Sequence, residues 1–259
     1  DSRKLNECLE REPHPLPNVD EIIWRMQGFT FATCLDLNRG YYHFILDDES
    51  QKLCGIVLPW GQYVYQRLPQ GCKPSSDIFQ RHMSIIFSDF EDVFVFIDNI
   101  LLFTKKDFNH HLNRLQAALQ VILQNNLHVH VEGTFLAAQQ VDYLGYTLTT
   151  KGIQPQTKKV TAILQFAPPN NKRQLRAFLG LVNYYKKLWH RRSHISEPLT
   201  RVSGTNAKFT WHAEQQAAFT NMKQIMSCQV LLHYPDFSKP FDICTDASNY
   251  QLSGVITQD

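Results

Sequence analysis

A chain of 259 residues with 43% hydrophobic and 19% charged side chains has enough apolar material for one large core or two ordinary ones, which excludes a disordered polypeptide. No apolar run approaches the roughly 18 residues that a membrane span needs, and the opening Asp1-Ser2-Arg3-Lys4 has no signal-peptide core, so membrane and secretory classes are not expected. The net charge of +2 conceals an asymmetry: residues 1–150 carry 12 basic and 18 acidic side chains, residues 151–208 carry 12 and 1, and residues 209–259 carry 2 and 5.

The first predicted element is a helix from Val19 through Met26, capped by Asn18, with acids in its first turn and a stop at Gly28. A strand follows from Phe29 to Leu35 and ends at Asp36, and residues 53–58 and 62–67 form a hairpin around Pro59-Trp60-Gly61. Pro74 opens a helix to about Phe87, with Ile78, Met83, Ile86 and Phe87 on one stripe. Two apolar runs, 93–97 and 100–103, are separated only by Asp98-Asn99, a dipeptide suited to a tight hairpin turn. A helix over about 107–125 then places Phe108, Leu112, Leu115, Leu119 and Ile122 on one face, and strands are expected near 127–131 and 141–149. The order strand, helix, hairpin, helix, strand predicts an α+β fold, a split βαβ sheet with its helices on one face.

Beyond Pro155 the pattern turns helical, over 158–166 and then from Lys172 to about Trp189 with Asn170 or Asn171 as cap. Residues 151–208 hold a single acid, Glu197, against Lys158, Lys159, Lys172, Arg173, Arg176, Lys186, Lys187, Arg191 and Arg192. Such a stretch suits a phosphate backbone, and a solvated basic helix surface is the alternative. A helix over about 213–226 precedes a strand over 241–245 that runs into Asp246. The six cysteines are far apart and lack a C-x-x-C pair, which points to thiols of a reducing compartment. His190 with His194, and His110 beside His111, are weak metal-ligand candidates without such a pair. Tyr184, Tyr185 and Trp189 could stack on bases or pack in a helix core.

Asp36 and Asp98, each close to the end of an apolar strand, are the acids that could clamp divalent ions for phosphoryl or nucleotidyl transfer if their strands are adjacent. Taken singly, each reads better as an ordinary turn or cap acid than as a catalytic one. The string Phe31 to Tyr42 (FATCLDLNRGYY) resembles the first catalytic motif of reverse transcriptases. Leu68-Pro69-Gln70-Gly71-Cys72-Lys73-Pro74-Ser75 with Ile78-Phe79-Gln80 resembles their nucleotide-facing motif, and Phe96-Ile97-Asp98-Asn99-Ile100 their Y-x-D-D hairpin. Downstream, residues 178–185, 198–200 and 234–241 followed by Thr245-Asp246-Ala247-Ser248 are similar to the gypsy-type LTR retrotransposon Pol polyprotein.

The resemblance implies a right-hand polymerase: a palm with partial fingers over 1–150, a basic helical thumb and connection over 151–235, and the start of an RNase H-like domain over 236–259. It implies RNA-directed DNA synthesis with Mg²⁺ or Mn²⁺ held by Asp36, Asp98 and the Leu37 carbonyl. Tyr41 would exclude a ribose 2′-OH, Gln70 and Gly71 would face the nucleotide, and Asp246 would match the first RNase H acid. Lys172, Arg173, Arg176, Lys186, Lys187, Arg191 and Arg192 would contact nucleic acid. The implied partners are an RNA template, a DNA or tRNA primer, dNTPs and the remaining protease, RNase H and integrase domains, and the implied location is a cytoplasmic virus-like particle or the nucleus.

Two departures from the pattern set a competing expectation. Asn99 stands where the family has a second acid, and Gly133-Thr134 stands where a lysine and a cysteine are expected. The chain begins inside a segment resembling D-x-R-x-L-N (Asp1, Arg3, Leu5, Asn6) and stops at Asp259, so most of the fingers and the later RNase H acids are expected to lie outside it. The alternative is therefore a decayed retroelement fragment, weak or inactive, that at most binds primer and template.

Overall fold

The computed structural model describes residues 2–188, 192–227, 231–247 and 252–258. The chain divides into two compact units, Asp1–Val141 and Asp142–Asp259. In the first, α1 (Arg3–Cys8) and α2 (Val19–Arg25) precede β1 (Phe31–Leu37). A 3₁₀ turn (Gly40–His43) and α3 (Asp48–Leu53) lead to the hairpin of β2 (Gly55–Leu58) and β3 (Gly61–Val64). Then come α4 (Ser75–Ile86), β4 (Val93–Phe96), β5 (Asn99–Thr104), α5 (Phe108–Gln124) and β6 (Val129–Ala138).

β4, β5, β1 and β6 form one sheet in that order, and the pairs given for β1 with β5 and β6 and for β4 with β5 are antiparallel. The sequence β1, α4, β4, β5, α5, β6 in this order is the split βαβ arrangement. Strand alternation sends Leu35, Leu37, Val93, Val95, Ile100 and Leu102 to one face, where they share a core with Phe79, Met83 and Phe87 and with Leu115, Ala118 and Ile122. The other face presents Asp36.

Helix starts follow local chemistry. Asp47 Oδ1 accepts from Glu49 N and Ser50 N at α3, and Asp107 Oδ1 accepts from His110 N at 2.8 Å at α5. α3 and α1, each of six residues, were not expected, being too short to show a period. The expected stripe of α5 is corrected by one position: the buried residues are His111, Leu115, Ala118 and Ile122, while Phe108, Leu112 and Leu119 are exposed. The cause is a polar residue in the core. His111 Nε2 bonds Thr33 Oγ1 at 2.8 Å, its Nδ1 bonds Thr104 Oγ1 at 2.9 Å, and Ala137 N donates to Thr33 Oγ1 at 3.0 Å, so the imidazole ties α5 to β1 and β5 and Thr33 carries the link on to β6.

The second unit begins with β7 (Gln140–Tyr143), whose first residues lie at the boundary, β8 (Tyr146–Thr149) and β9 (Gly152–Pro155). α6 (Thr157–Leu164), α7 (Lys172–Tyr184), a 3₁₀ turn (Lys186–Leu188), α8 (Arg192–Ser203) and α9 (Ala213–Ser227) follow, then β10 (Leu232–His233), β11 (Asp242–Ala247) and β12 (Leu252–Thr257). β10, β9, β8 and β7 make a four-stranded sheet, and β11 pairs antiparallel with β12. The single strand expected over 141–149 is instead a hairpin, because Leu144 and Gly145 both take positive φ (46° and 79°). α7 ends at Tyr184, five residues before the expected stop, and α8 forms despite Pro198 inside it. Among the described residues no helix is long and apolar enough to cross a membrane.

Candidate active site

The site grows from cross-strand register. Asp36 lies inside β1, not at its end, and pairs with Asn99 on β5 and with His130 on β6, so these three side chains share the face opposite α4 and α5. The hairpin turn is also displaced from expectation. Phe96 pairs with Asn99, so the two turn residues are Ile97 and Asp98, and Asn99 belongs to β5.

Ile97 takes a φ of 53°, a left-handed conformation that a β-branched residue adopts only under constraint. Gln80 of α4, 1% exposed, supplies the constraint. Its Oε1 accepts from Ile97 N at 2.7 Å and its Nε2 donates to Val95 O at 2.9 Å. From the other side Leu37 N donates to Asp98 O at 3.1 Å. The turn carrying Asp98 is thus fixed to both α4 and β1. Burial, then the nearby Asp36 charge, pushes the Asp98 carboxyl above its usual range, and Asn99 Nδ2, donating to Asp98 Oδ1 at 3.1 Å, opposes that rise. Two carboxylates whose charges repel suit a shared cation.

On β6 the pairing jumps from Phe135 opposite Cys34 to His130 opposite Asp36, a bulge that puts residues 131–134 over the end of β1. Gly133 rests on Asp36 so closely that a Cβ there would lie 2.7 Å from Asp36 Oδ2. His130 Nδ1 is 3.6 Å from the same oxygen.

The backbone reverses through Arg39 (φ 53°) and Gly40, whose lack of a side chain admits the Phe79 ring, since a Cβ would meet Phe79 Cζ at 2.9 Å and Asp98 Cβ at 3.6 Å. This brings Tyr41 beside the turn. Its ring stacks on Phe79 at 4.9 Å and its hydroxyl bonds Ser76 Oγ at 3.1 Å.

The remaining sequence candidates do not all join this group. Gln70 and Gly71 are exposed on the loop before α4, where Asn6 Nδ2 donates to Gly71 O at 2.9 Å, and Gln70 lines a cavity that neither carboxylate lines. Lys172 Nζ and Arg176 Nε donate to Thr205 O and Ser203 O at 3.0 and 2.9 Å, so their head groups brace the segment after α8. Arg173 and Lys186 are exposed. Lys187 falls in the 3₁₀ turn, Arg192 begins α8 and Asp246 lies on β11 opposite Ser253, while Arg191, Trp189 and His190 lie outside the described residues. Tyr185 is buried and donates to Gly145 O at 2.8 Å, whereas Tyr184 is half exposed and donates to Leu144 O.

Asp36, Asp98 and the Leu37 carbonyl are the groups that could hold a divalent ion. Among the described residues no three His, Cys, Asp or Glu side chains form a cation cage. A donor set of two carboxylates fits Mg²⁺, which keeps waters and takes further oxygens from substrate phosphates. Sequence reasoning gave His130 no role, placed Gln80 only within a nucleotide-facing motif and noted Gly133 only as a departure from a lysine.

Comparison with known proteins adds three findings. A family model described as reverse transcriptase (RNA-dependent DNA polymerase) matches residues 1–148, and one described as RNase H-like domain found in reverse transcriptase matches residues 211–259. The retrovirus-related Pol polyprotein from transposon 412 of Drosophila melanogaster is 33% identical over 261 residues, covering 100% of this chain and 21% of the relative. The Pol polyprotein from transposon gypsy of the same organism is 29% identical (100% and 26%), and the transposon Tf2-7 polyprotein of Schizosaccharomyces pombe is 28% identical (100% and 19%). The chain thus spans about a fifth to a quarter of the length of these relatives. Among solved structures, foamy viral protease-reverse transcriptase in complex with RNA/DNA hybrid matches with TM-score 0.85 at 20% identity, over 96% of this chain and 34% of that one. A second structure of that protein with double-stranded DNA matches with TM-score 0.88 at 21% identity, over 96% and 44%.

Proposed function

The chain belongs to the reverse transcriptase (RNA-dependent DNA polymerase) family, and from that premise we propose that it is the polymerase segment of a retrotransposon Pol polyprotein that extends a primer 3′-OH with dNTPs on an RNA template. The observation that carries the reading is the pair Asp36 and Asp98, the first on β1 and the second in the adjoining β4–β5 turn, which Gln80 and Leu37 N hold in place.

Asp36 and Asp98, with the Leu37 carbonyl, would hold Mg²⁺ or Mn²⁺. Such ions, when bound, activate the attacking hydroxyl and neutralise charge on the transferred phosphoryl group. The chain's own residues set position. The Tyr41 ring, held by Phe79 and Ser76, would stand against the sugar of the incoming nucleotide and exclude a ribose 2′-OH sterically. Gln70 and Gly71 offer polar groups to the incoming nucleotide from the loop ahead of α4. Exposed Arg173 and Lys186 in the second unit contact the phosphate backbone of primer and template. The domain ranges 1–150, 151–235 and 236–259, and Asp246 as the first RNase H acid, belong to the same proposal.

Asn99 donates to Asp98 where a second acid would add charge, which favours a second reading of a chain that binds primer and template and extends poorly. Losing one preorganised charged group costs on the order of 2–4 kcal/mol in the transition state. Primer extension on RNA with Mg²⁺ or Mn²⁺ decides between the readings, with Asp36→Ala as blank. Extension by the unaltered chain that Asp36→Ala abolishes supports a working polymerase. Extension only after Asn99→Asp identifies a sound fold limited at one residue, and silence in both supports the binding reading.

A further inference from the structure

Two thiols away from the carboxylate face meet in one cavity. Cys54 caps the C-terminus of α3 just before β2, and Cys72 lies two residues after Gln70. Both line a cavity of about 400 Å³ together with Leu5, Ile56, Tyr65 and Gln70. Neither is fully buried and neither is in a disulfide. Burial pushes the Cys54 thiol up, and Cys72 adds to the rise both by its charge and by a hydrogen bond.

We propose that Cys54 and Cys72 form a reversible disulfide by exchange with a low-molecular-weight disulfide such as oxidised glutathione, tying the β2–β3 hairpin to the loop that carries Gln70. Cys72, giving up its proton, attacks one glutathione sulfur, forms a mixed disulfide and expels the first glutathione thiolate. Cys54, giving up its proton, then attacks the Cys72 sulfur and expels the second. Two protein thiols are oxidised, one glutathione disulfide is reduced, and the two S–H protons end on the two glutathione thiols.

The loop end is already anchored, since Lys73 N donates to Asn6 Oδ1 at 2.7 Å and Ser75 Oγ to Pro69 O at 2.8 Å. The hairpin end is anchored by Tyr65 N donating to Cys54 O at 3.0 Å. A bond between the two anchored ends would close residues 54–72 into a ring. In a reducing compartment such bonds are transient and report the redox state.

The site does not depend on the polymerase reading, and its test reads mass. The whole chain is equilibrated with mixtures of reduced and oxidised glutathione, alkylated, and digested without reductant. We expect a peptide pair joined through Cys54 and Cys72, a loss of two alkylatable thiols per chain, slower amide exchange across 55–72, and reversal by dithiothreitol. Cys54→Ser and Cys72→Ser should each lose the link. Accumulation of glutathione on either cysteine without a link, or a link from Cys72 to Cys8 instead, overturns the proposal. Because the linkage is mapped on the unaltered chain, a variant that fails to fold does not affect the result. A chain that links but never extends a primer refutes the polymerase reading and supports this one.

Discussion

Replacing Gly133 with alanine adds one methyl group directly against Asp36. A Cβ at 133 lies 2.7 Å from Asp36 Oδ2, 2.9 Å from its Cβ and 3.2 Å from its Cγ. Carbon atoms rest at about 3.5–4.0 Å, so these contacts overlap deeply. The Asp36 Cβ belongs to a central strand paired on both sides and cannot swing away as a long side-chain tip could. Gly133 does not have a positive φ, so alanine meets no backbone penalty and the whole effect is steric. Overpacking of this kind costs about 1–3 kcal/mol, which a urea unfolding curve resolves. Relief by moving the carboxylate about 1 Å would lower primer extension roughly 100-fold, best measured in an Asn99→Asp background where the signal is larger. Lysine at 133, the residue that family resemblance leads one to expect, begins with the same Cβ and should restore nothing. An unchanged unfolding midpoint together with unchanged extension in Gly133→Ala would refute the seating of β6 on Asp36.

Gln80→Leu keeps a side chain of similar size but strands Ile97 N–H and the Val95 carbonyl, at roughly 1–3 kcal/mol for each group. Urea denaturation reads the loss, and a wild-type midpoint would show that the turn stands without its clamp. Tyr41→Phe keeps the ring on Phe79 and should still reject ribonucleotides, whereas Tyr41→Ala should accept them; competition between dNTP and rNTP incorporation checks both. Burial lowers the His111 pKa in the folded chain, so the unfolded chain binds the proton more readily. The neutral imidazole therefore contributes stability that is complete above its unfolded value of about 6.5 and is lost as pH falls toward the depressed folded value. Thermal unfolding between pH 8 and 5 should show this slope in the unaltered chain, and His111→Gln should flatten it; an equal slope in both would assign the titration elsewhere.

What was legible in the sequence was what local chemistry decides. Asn171 caps the helix it precedes, its Oδ1 accepting from Gln174 N at 2.9 Å, and the apolar runs 93–97 and 100–103 do form a hairpin. The stripe of α5 was displaced by one position because its choice of face depends on Thr33 and Thr104, which are 78 and 7 residues away from His111. Periodicity weighs leucine above histidine and has no means of seeing a satisfied buried imidazole. The same limit applied at the site. Asp36 and Asp98 could be singled out by type and by their apolar flanks, but their adjacency is a property of strand register, and the turn was placed one residue late because an isoleucine at positive φ is locally unfavourable. It is tolerated only because Gln80 reaches it from another element. The two departures, Asn99 and Gly133, also change meaning once they are placed. They lie on the strands either side of β1, one paired with Asp36 and the other resting on it. Asn99 donates to Asp98 and offsets part of the repulsion from Asp36, while Gly133 lets β6 close over the same carboxylate. An acid at 99 and a side chain at 133 would therefore alter one carboxylate pair from two sides, so Asn99→Asp and Gly133→Ala should not be additive. A double-mutant cycle on extension should return a coupling of about 0.5–3 kcal/mol, the range for residues that share a partner. A coupling near zero would mean that the two substitutions act independently and do not share this carboxylate pair.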